Sequence, residues 1–486
     1  MLGKFFNIIY LLLLSTYVAN AVTKLREKFL WNAVNFEYPD RQTWLHALSV
    51  GDFIPENNLP VGIEVYNEKL FVTVPRWRAG IPSTLNYVPI DSPDLSPRLI
   101  PYPNWQANKA GDCENGLTTV YRIKVDECDR LWVLDTGTTG IGNTTQNPCP
   151  YALNVFDLKT DTRIRRYVFR PEDTNANTFI ANIAVDIGAT CDDAYAYFSD
   201  ELGYGLIAYS WLENTSWRFT HSFFMPDPLS GDFNIAGLNF QWGEEGIFGM
   251  ALSPIQPDGY RTMFFNPLAS GHEFSVSTRI LRNKTAVEDS YHDFKVVGTR
   301  GKDGHVTAAV MDKNGVLFYN LVSRNSIGCW NSRLPYTPEN LDVVDSDDVG
   351  LVFPSDVKID RNENIWVMSD RMPVFLIANL DFRDVNFRVY TTTVSEVLAN
   401  TACAQPSLNS LDGYGALGSP KFYSFPISAK PALPKFIGYD VAPVKSILPK
   451  YAGYDVSPKL PSYNIGGSKT GYRNEPTAFS YSYVTI

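Results

Sequence analysis

The sequence is poor in the residue types that enzymes depend on most. It has five histidines in 486 residues, at His46, His221, His272, His292 and His305, and no two stand at metal-ligand spacing. There is no G-x-S-x-G, no H-E-x-x-H, no Walker loop and no G-x-G-x-x-G following a strand. The familiar hydrolase, zinc-protease, nucleotide and dinucleotide signatures are thereby excluded. His292, inside Asp289-Ser290-Tyr291-His292-Asp293-Phe294, reads as a hydrogen-bonded structural histidine. Basic charge is also in deficit: 42 Lys and Arg against 52 Asp and Glu, a formal net charge of −10. That balance argues against nucleic acid or an anionic membrane surface as partner. None of the six cysteines lies in a C-x-x-C pair, which removes the usual zinc and redox readings.

Long apolar runs are confined to the N-terminus. Lys4 precedes an apolar stretch from Ile8 to Val18, and Ala19-Asn20-Ala21 supplies small residues where a signal peptidase cuts. The stretch is too short to span a bilayer, which takes about 20 residues. Residues 1–21 therefore read as a cleavable secretory signal, giving an extracellular protein with no membrane partner after its removal. Three sequons fit the secretory route, at Asn143, Asn214 and Asn283. An even count of cysteines fits a disulfide framework, although six allow fifteen pairings.

The most informative pattern is repetition. Ile123-Lys124-Val125-Asp126, a turn and Leu131-Trp132-Val133 match Val357-Lys358-Ile359-Asp360, a turn and Ile365-Trp366-Val367. Looser copies of this strand–turn–strand unit begin near 63, 183, 250 and 309. Steps of about 60 residues hold four short strands and their connections, the signature of propeller blades. Six copies predict an all-β, six-bladed β-propeller over residues 22–403. Helical signals are few, at Leu25–Val34 and Val394–Asn400. From about residue 404 to 486 the chain turns to Pro, Gly, Ser and Tyr. There Leu433-Pro434-Lys435 through Val441 recurs as Leu448-Pro449-Lys450 through Val456. Such a tail is expected to be disordered, with its tyrosines open to cross-linking into a matrix.

In a propeller, sites gather at the central channel, on the inner strands and the loops that enter them. Those positions carry Tyr121, Phe179, Asn182, Phe248, Thr307, Phe353 and Asp356, with His305 beside Thr307. Aromatic faces plus a carboxylate suit a flat ring bearing an amine. The alternative is that these aromatics only pack between blades. Glu64, Asn182 and Asp356, at comparable positions of three blades, are weak candidates for a hard cation such as Ca²⁺; no other cofactor is implied. If the channel is catalytic, Asp356 and His305 are the acid–base pair to test.

Leu70-Phe71-Val72-Thr73-Val74-Pro75-Arg76-Trp77-Arg78, Asp126-Glu127-Cys128 through Asp135, and Phe353-Pro354-Ser355-Asp356-Val357-Lys358 resemble the Yellow/major royal jelly protein family of insects. The resemblance runs from about Leu25 to Cys403. Asn177-Thr178-Phe179 and Asp200-Glu201-Leu202-Gly203-Tyr204-Gly205 lie nearer its Yellow branch. It implies a secreted propeller controlling melanin patterning in cuticle. The expected action is binding of catechol- or indole-type pigment precursors or biogenic amines in the channel. Dopachrome isomerisation and a structural role in the cuticle matrix are the alternatives. Blade positions suggest the disulfides Cys128–Cys191, Cys113–Cys149 and Cys329–Cys403.

Overall fold

The computed structural model describes residues 24–404. The segment expected to be a secretory signal, and all but the first residue of the expected tail at 404–486, lie outside the described residues. Six four-stranded antiparallel sheets are arranged as blades. Their inner strands are Gly62–Tyr66, Val120–Val125, Ile180–Ile187, Ile247–Leu252, Ala309–Met311 and Pro354–Ile359. Each packs against its neighbours around the axis, and the sixth returns to the first. The starts expected from the repeats coincide with these inner strands.

A local device explains the repeated motif. The Asp126 carboxylate accepts from the backbone N–H groups of Cys128 and Arg130 at 2.8 and 3.0 Å, and from Trp132 Nε1 at 2.7 Å. Asp360 repeats this with Asn362 N, Asn364 N and Trp366 Nε1 at 2.8, 2.9 and 2.9 Å. The carboxylate holds the turn's N–H groups and pins the indole of the second strand. Apolar residues on alternating positions then fill the spaces between blades. Ile183, Phe198, Trp132 and Leu134 do so between blades two and three. Val316, Phe318, Val357 and Val367 do so between blades five and six.

The segment Leu25–Val34, expected to be helical, is a strand over Arg26–Trp31. It pairs antiparallel with Phe387–Thr393 as the outermost strand of blade six. The ring is thus closed by residues from both ends of the domain, and tertiary pairing overrides local helix preference. Trp31 is buried and its Nε1 donates to Pro97 O of blade one at 2.9 Å. The second helical expectation holds, with a helix over Val394–Leu398.

The disulfides are Cys113–Cys149, Cys128–Cys191 and Cys329–Cys403. Cys128–Cys191 joins the hairpin turns of blades two and three. Cys329–Cys403 ties the segment after blade six back to blade five. Asn143, Asn214 and Asn283 are all exposed. No helix among the described residues is long and apolar enough to cross a membrane.

Candidate functional site

The inner strands carry two sets of residues that face opposite ends of the channel. At the end where the strands begin, aromatic rings converge on Tyr121. Its ring lies 5.5 Å from Trp77, 5.3 Å from Phe179 and 6.3 Å from Phe248. Phe353 joins through Trp242 at 6.2 Å. A hairpin inserted between blades three and four, Asp232–Ile235 with Leu238–Gln241, contributes Phe233, Ile235 and Phe240 to the same apolar cluster. The structure brings Tyr121, Phe179, Phe248 and Phe353 together in one apolar cluster. Tyr121, Phe248 and Phe353 are buried, whereas Phe179 is only half-buried.

Three carboxyls missing from the sequence reading sit at this end. Glu201 and Glu245 are buried as neighbours, and burial followed by their mutual repulsion pushes Glu201 well above the carboxylate range. Burial raises Glu245 as well. Glu201 Oε1 is buried without a hydrogen-bond partner. Asp370, raised to about 7 by burial, accepts from Met372 N at 3.0 Å. All three act electrostatically on Tyr121, whose phenol is kept neutral chiefly by burial. Two of these acids follow the second strand of a blade, at Ala194–Asp200 and Asn364–Ser369. An acid at that exit is the signal that could have disclosed them.

Asp356 lies between the two ends and is fully engaged. Its Oδ2 pairs with Arg122 at 3.1 Å and accepts from Ile63 N at 2.9 Å. Its Oδ1 accepts from Val357 N and Lys358 Nζ, each at 3.0 Å. Burial alone would raise its pKa, but Lys358 and Arg122 outweigh burial and hold it below the usual value. His305 is engaged elsewhere. Nδ1 meets Ser323 Oγ at 2.7 Å, Nε2 meets Ser230 O at 2.9 Å, and the ring stacks on Phe233 at 4.0 Å. Burial lowers its pKa. These partners make Asp356 a ring staple and His305 an anchor for the inserted hairpin, in place of the acid–base pair.

The cation reading is corrected on similar grounds. Glu64 Oε2 pairs with Lys124 Nζ at 2.9 Å, and Asn182 Oδ1 accepts from Ile183 N at 2.9 Å. With Asp356 held by two cations, no set of free oxygens remains. Among the described residues no group of three or more His, Cys, Asp or Glu converges as a metal cage. Thr307 and Asn182 are structural links: Thr307 Oγ1 donates to Ser355 O at 3.1 Å, and Asn182 Nδ2 to Phe248 O at 3.2 Å.

The opposite end opens as a cavity of about 540 Å³. Glu64, Lys124, Asn182, Met250, Val310 and Lys358 are among the residues lining it. That volume is in the range of small-molecule sites.

Fold and channel together define a six-bladed propeller whose channel has an acidic, aromatic end and an open end. Residues 118–403 match the family described as "Major royal jelly protein". The chain is 63% identical over 385 residues to "Protein yellow" of Drosophila erecta, covering 79% of this chain and 71% of that one. It is 60% identical over 415 residues to "Protein yellow" of Drosophila subobscura, covering 85% and 72%. The chain belongs to the Yellow/major royal jelly protein family. Among solved structures the chain aligns with virginiamycin B lyase of Staphylococcus aureus, with TM-score 0.37 and 11% identity, covering 70% of this chain and 96% of that one. A luciferin-regenerating enzyme matches with TM-score 0.39 and 12% identity, covering 70% and 92%.

Proposed function

We propose that the protein is a secreted pigmentation factor of insect cuticle that binds catechol- or indole-type amines at the aromatic end of its channel. The observation that carries this is the Glu201 carboxyl, buried beside Tyr121 with one oxygen unpartnered. A buried polar atom without a partner costs about 1–3 kcal/mol. An incoming ammonium supplies the missing donor and forms a charge-assisted hydrogen bond with Glu201. The surrounding rings supply faces for an aromatic body, and Phe179 is more accessible than Trp77, Tyr121 or Phe248. Three disulfides support an oxidising compartment and hence secretion. The pigment role rests on kinship with the proteins named yellow.

Calorimetric titration with dopamine tests the reading. One-to-one binding of micromolar class is expected, weakened at least tenfold by Glu201→Gln and by Phe179→Ala. Absence of heat with dopamine, serotonin and every other catechol or indole amine sinks it. The neighbouring buried carboxyls Glu201 and Glu245, both raised chiefly by burial, also favour a second reading, isomerisation of dopachrome, which needs an acid and a base together. Purified protein should then speed dopachrome decay, and an unchanged spontaneous rate removes this reading.

A further inference from the structure

The open end of the channel has a two-sided wall. Glu64, Lys124, Ala184, Ala251, Val310 and Lys358 occupy one register position on the six inner strands. They lie across their hairpins from Phe71, Trp132, Tyr197, Phe264, Phe318 and Trp366. All six line the 540 Å³ cavity. Blades six, one and two place Lys358, Glu64 and Lys124 side by side. Blades three, four and five place Ala184, Ala251 and Val310 opposite, and Met250 and Leu252 extend that apolar half.

The charged half carries an excess of cations. Arg122, Lys124 and Lys358 stand against two carboxylates, Glu64 and Asp356. Lys124 Nζ donates to Glu64 Oε2 at 2.9 Å and Lys358 Nζ to Asp356 Oδ1 at 3.0 Å. An ammonium has three donors, so each lysine keeps donors beyond its ion pair. Nearer the mouth acids outnumber bases, Asp126, Glu127, Asp312, Asp360 and Glu363 against Arg261, Lys313 and Arg361; there Arg261 pairs with Glu127 and with Asp186, Arg361 with Asp129 and Lys313 with Glu363. The acids Asp126, Asp312 and Asp360 are turned to the N–H groups of their own hairpin turns.

We propose that this cavity is a second binding site, for a flat aromatic or apolar monocarboxylate. The body lies against Ala184, Ala251 and Val310, and the carboxylate against Lys124 and Lys358. Small side chains on blades three and four leave the width that a planar ring needs. Glu201, Glu245, Asp370 and Tyr121 do not line this cavity, which makes the two sites separable.

The test is calorimetric titration of the full chain with indole-3-acetate, indole-3-acetamide and tryptamine. Indole-3-acetate is expected to bind one-to-one, with the amide at least tenfold weaker. The double variant Lys124→Gln/Lys358→Gln should weaken indole-3-acetate at least tenfold, and Ala251→Trp should block it by filling the apolar half. Glu201→Gln should leave it unchanged, which separates this site from the amine site. Thermal unfolding of each variant checks that it is folded. If the lysine variants do not fold, the comparison of acid with amide on the unaltered protein decides. Failure of indole-3-acetate to bind, equal binding of the amide, or loss of binding on Glu201→Gln overturns the proposal.

Discussion

Arg122 of blade two and Asp356 of blade six form an ion pair at 3.1 Å across the inner strand of blade one. Both side chains are about 1% exposed. Arg122 also donates to Val61 O at 2.7 Å and Ser355 O at 2.8 Å, while Asp356 receives Ile63 N. Two side chains thus staple three blades at the place where the ring closes. Asp356→Asn leaves a buried guanidinium short of its counter-charge. Loss of one partner of such a pair costs roughly 3–5 kcal/mol. Urea unfolding should show that loss, and a change under about 1 kcal/mol would rule out the staple.

The N-terminal strand should matter as much as the pair. Phe29 and Trp31 are buried on the outer edge of blade six and at its junction with blade one. Trp31→Ala is expected to cost about 3–5 kcal/mol through the cavity and the lost Nε1 bond. A thermal scan reads the effect. A midpoint unchanged within a degree or two would mean that the ring closes without this strand's packing.

How far the fold was legible follows from these elements. The hairpins could be read because their Asp–Trp device is local, the tryptophan standing six positions after the aspartate at Asp126 and Trp132 and at Asp360 and Trp366. The closing strand could not, because its partner lies more than 350 residues away and its own apolar spacing suits a helix equally well. The aromatic members of the site were accessible as inner-strand entrances. Of the acids, Glu201 and Asp370 share a place after a blade's second strand, whereas Glu245 comes from a loop with no such mark, and their grouping around Tyr121 shows only in three dimensions. The inserted hairpin with Phe233 and Trp242 carries no blade repeat, so nothing in the periodicity announced it.

Acid titration separates two buried aspartates by sign. Asp370 is raised from 3.8 to about 7, so its contribution to stability is complete below about 4 and is lost as pH rises toward 7. Asp356 is lowered, so its contribution is present above 3.8 and is lost as pH falls through its depressed value. Melting temperatures between pH 4 and 8 should therefore decline toward neutrality in a part that Asp370→Asn removes. An identical slope in that variant would contradict the assignment.

Cys329–Cys403 closes 74 residues and holds the end of the domain against blade five. Loss of a loop of that length costs about 4 kcal/mol on the chain-entropy account. The double variant Cys329→Ser/Cys403→Ser should show this in denaturant unfolding. A loss well below 2 kcal/mol would mean that Val394–Leu398 and its packing already fix the terminus.

The central claim is that an amine sits among Glu201, Glu245 and Tyr121 at the aromatic end. Diffraction from crystals soaked in dopamine tests it most directly. The expected map has the ammonium within hydrogen-bond distance of Glu201 and the ring against Phe179. Dopamine seated only at the open end beside Lys124 and Lys358, or an aromatic end left unchanged at saturating ligand, would contradict the account.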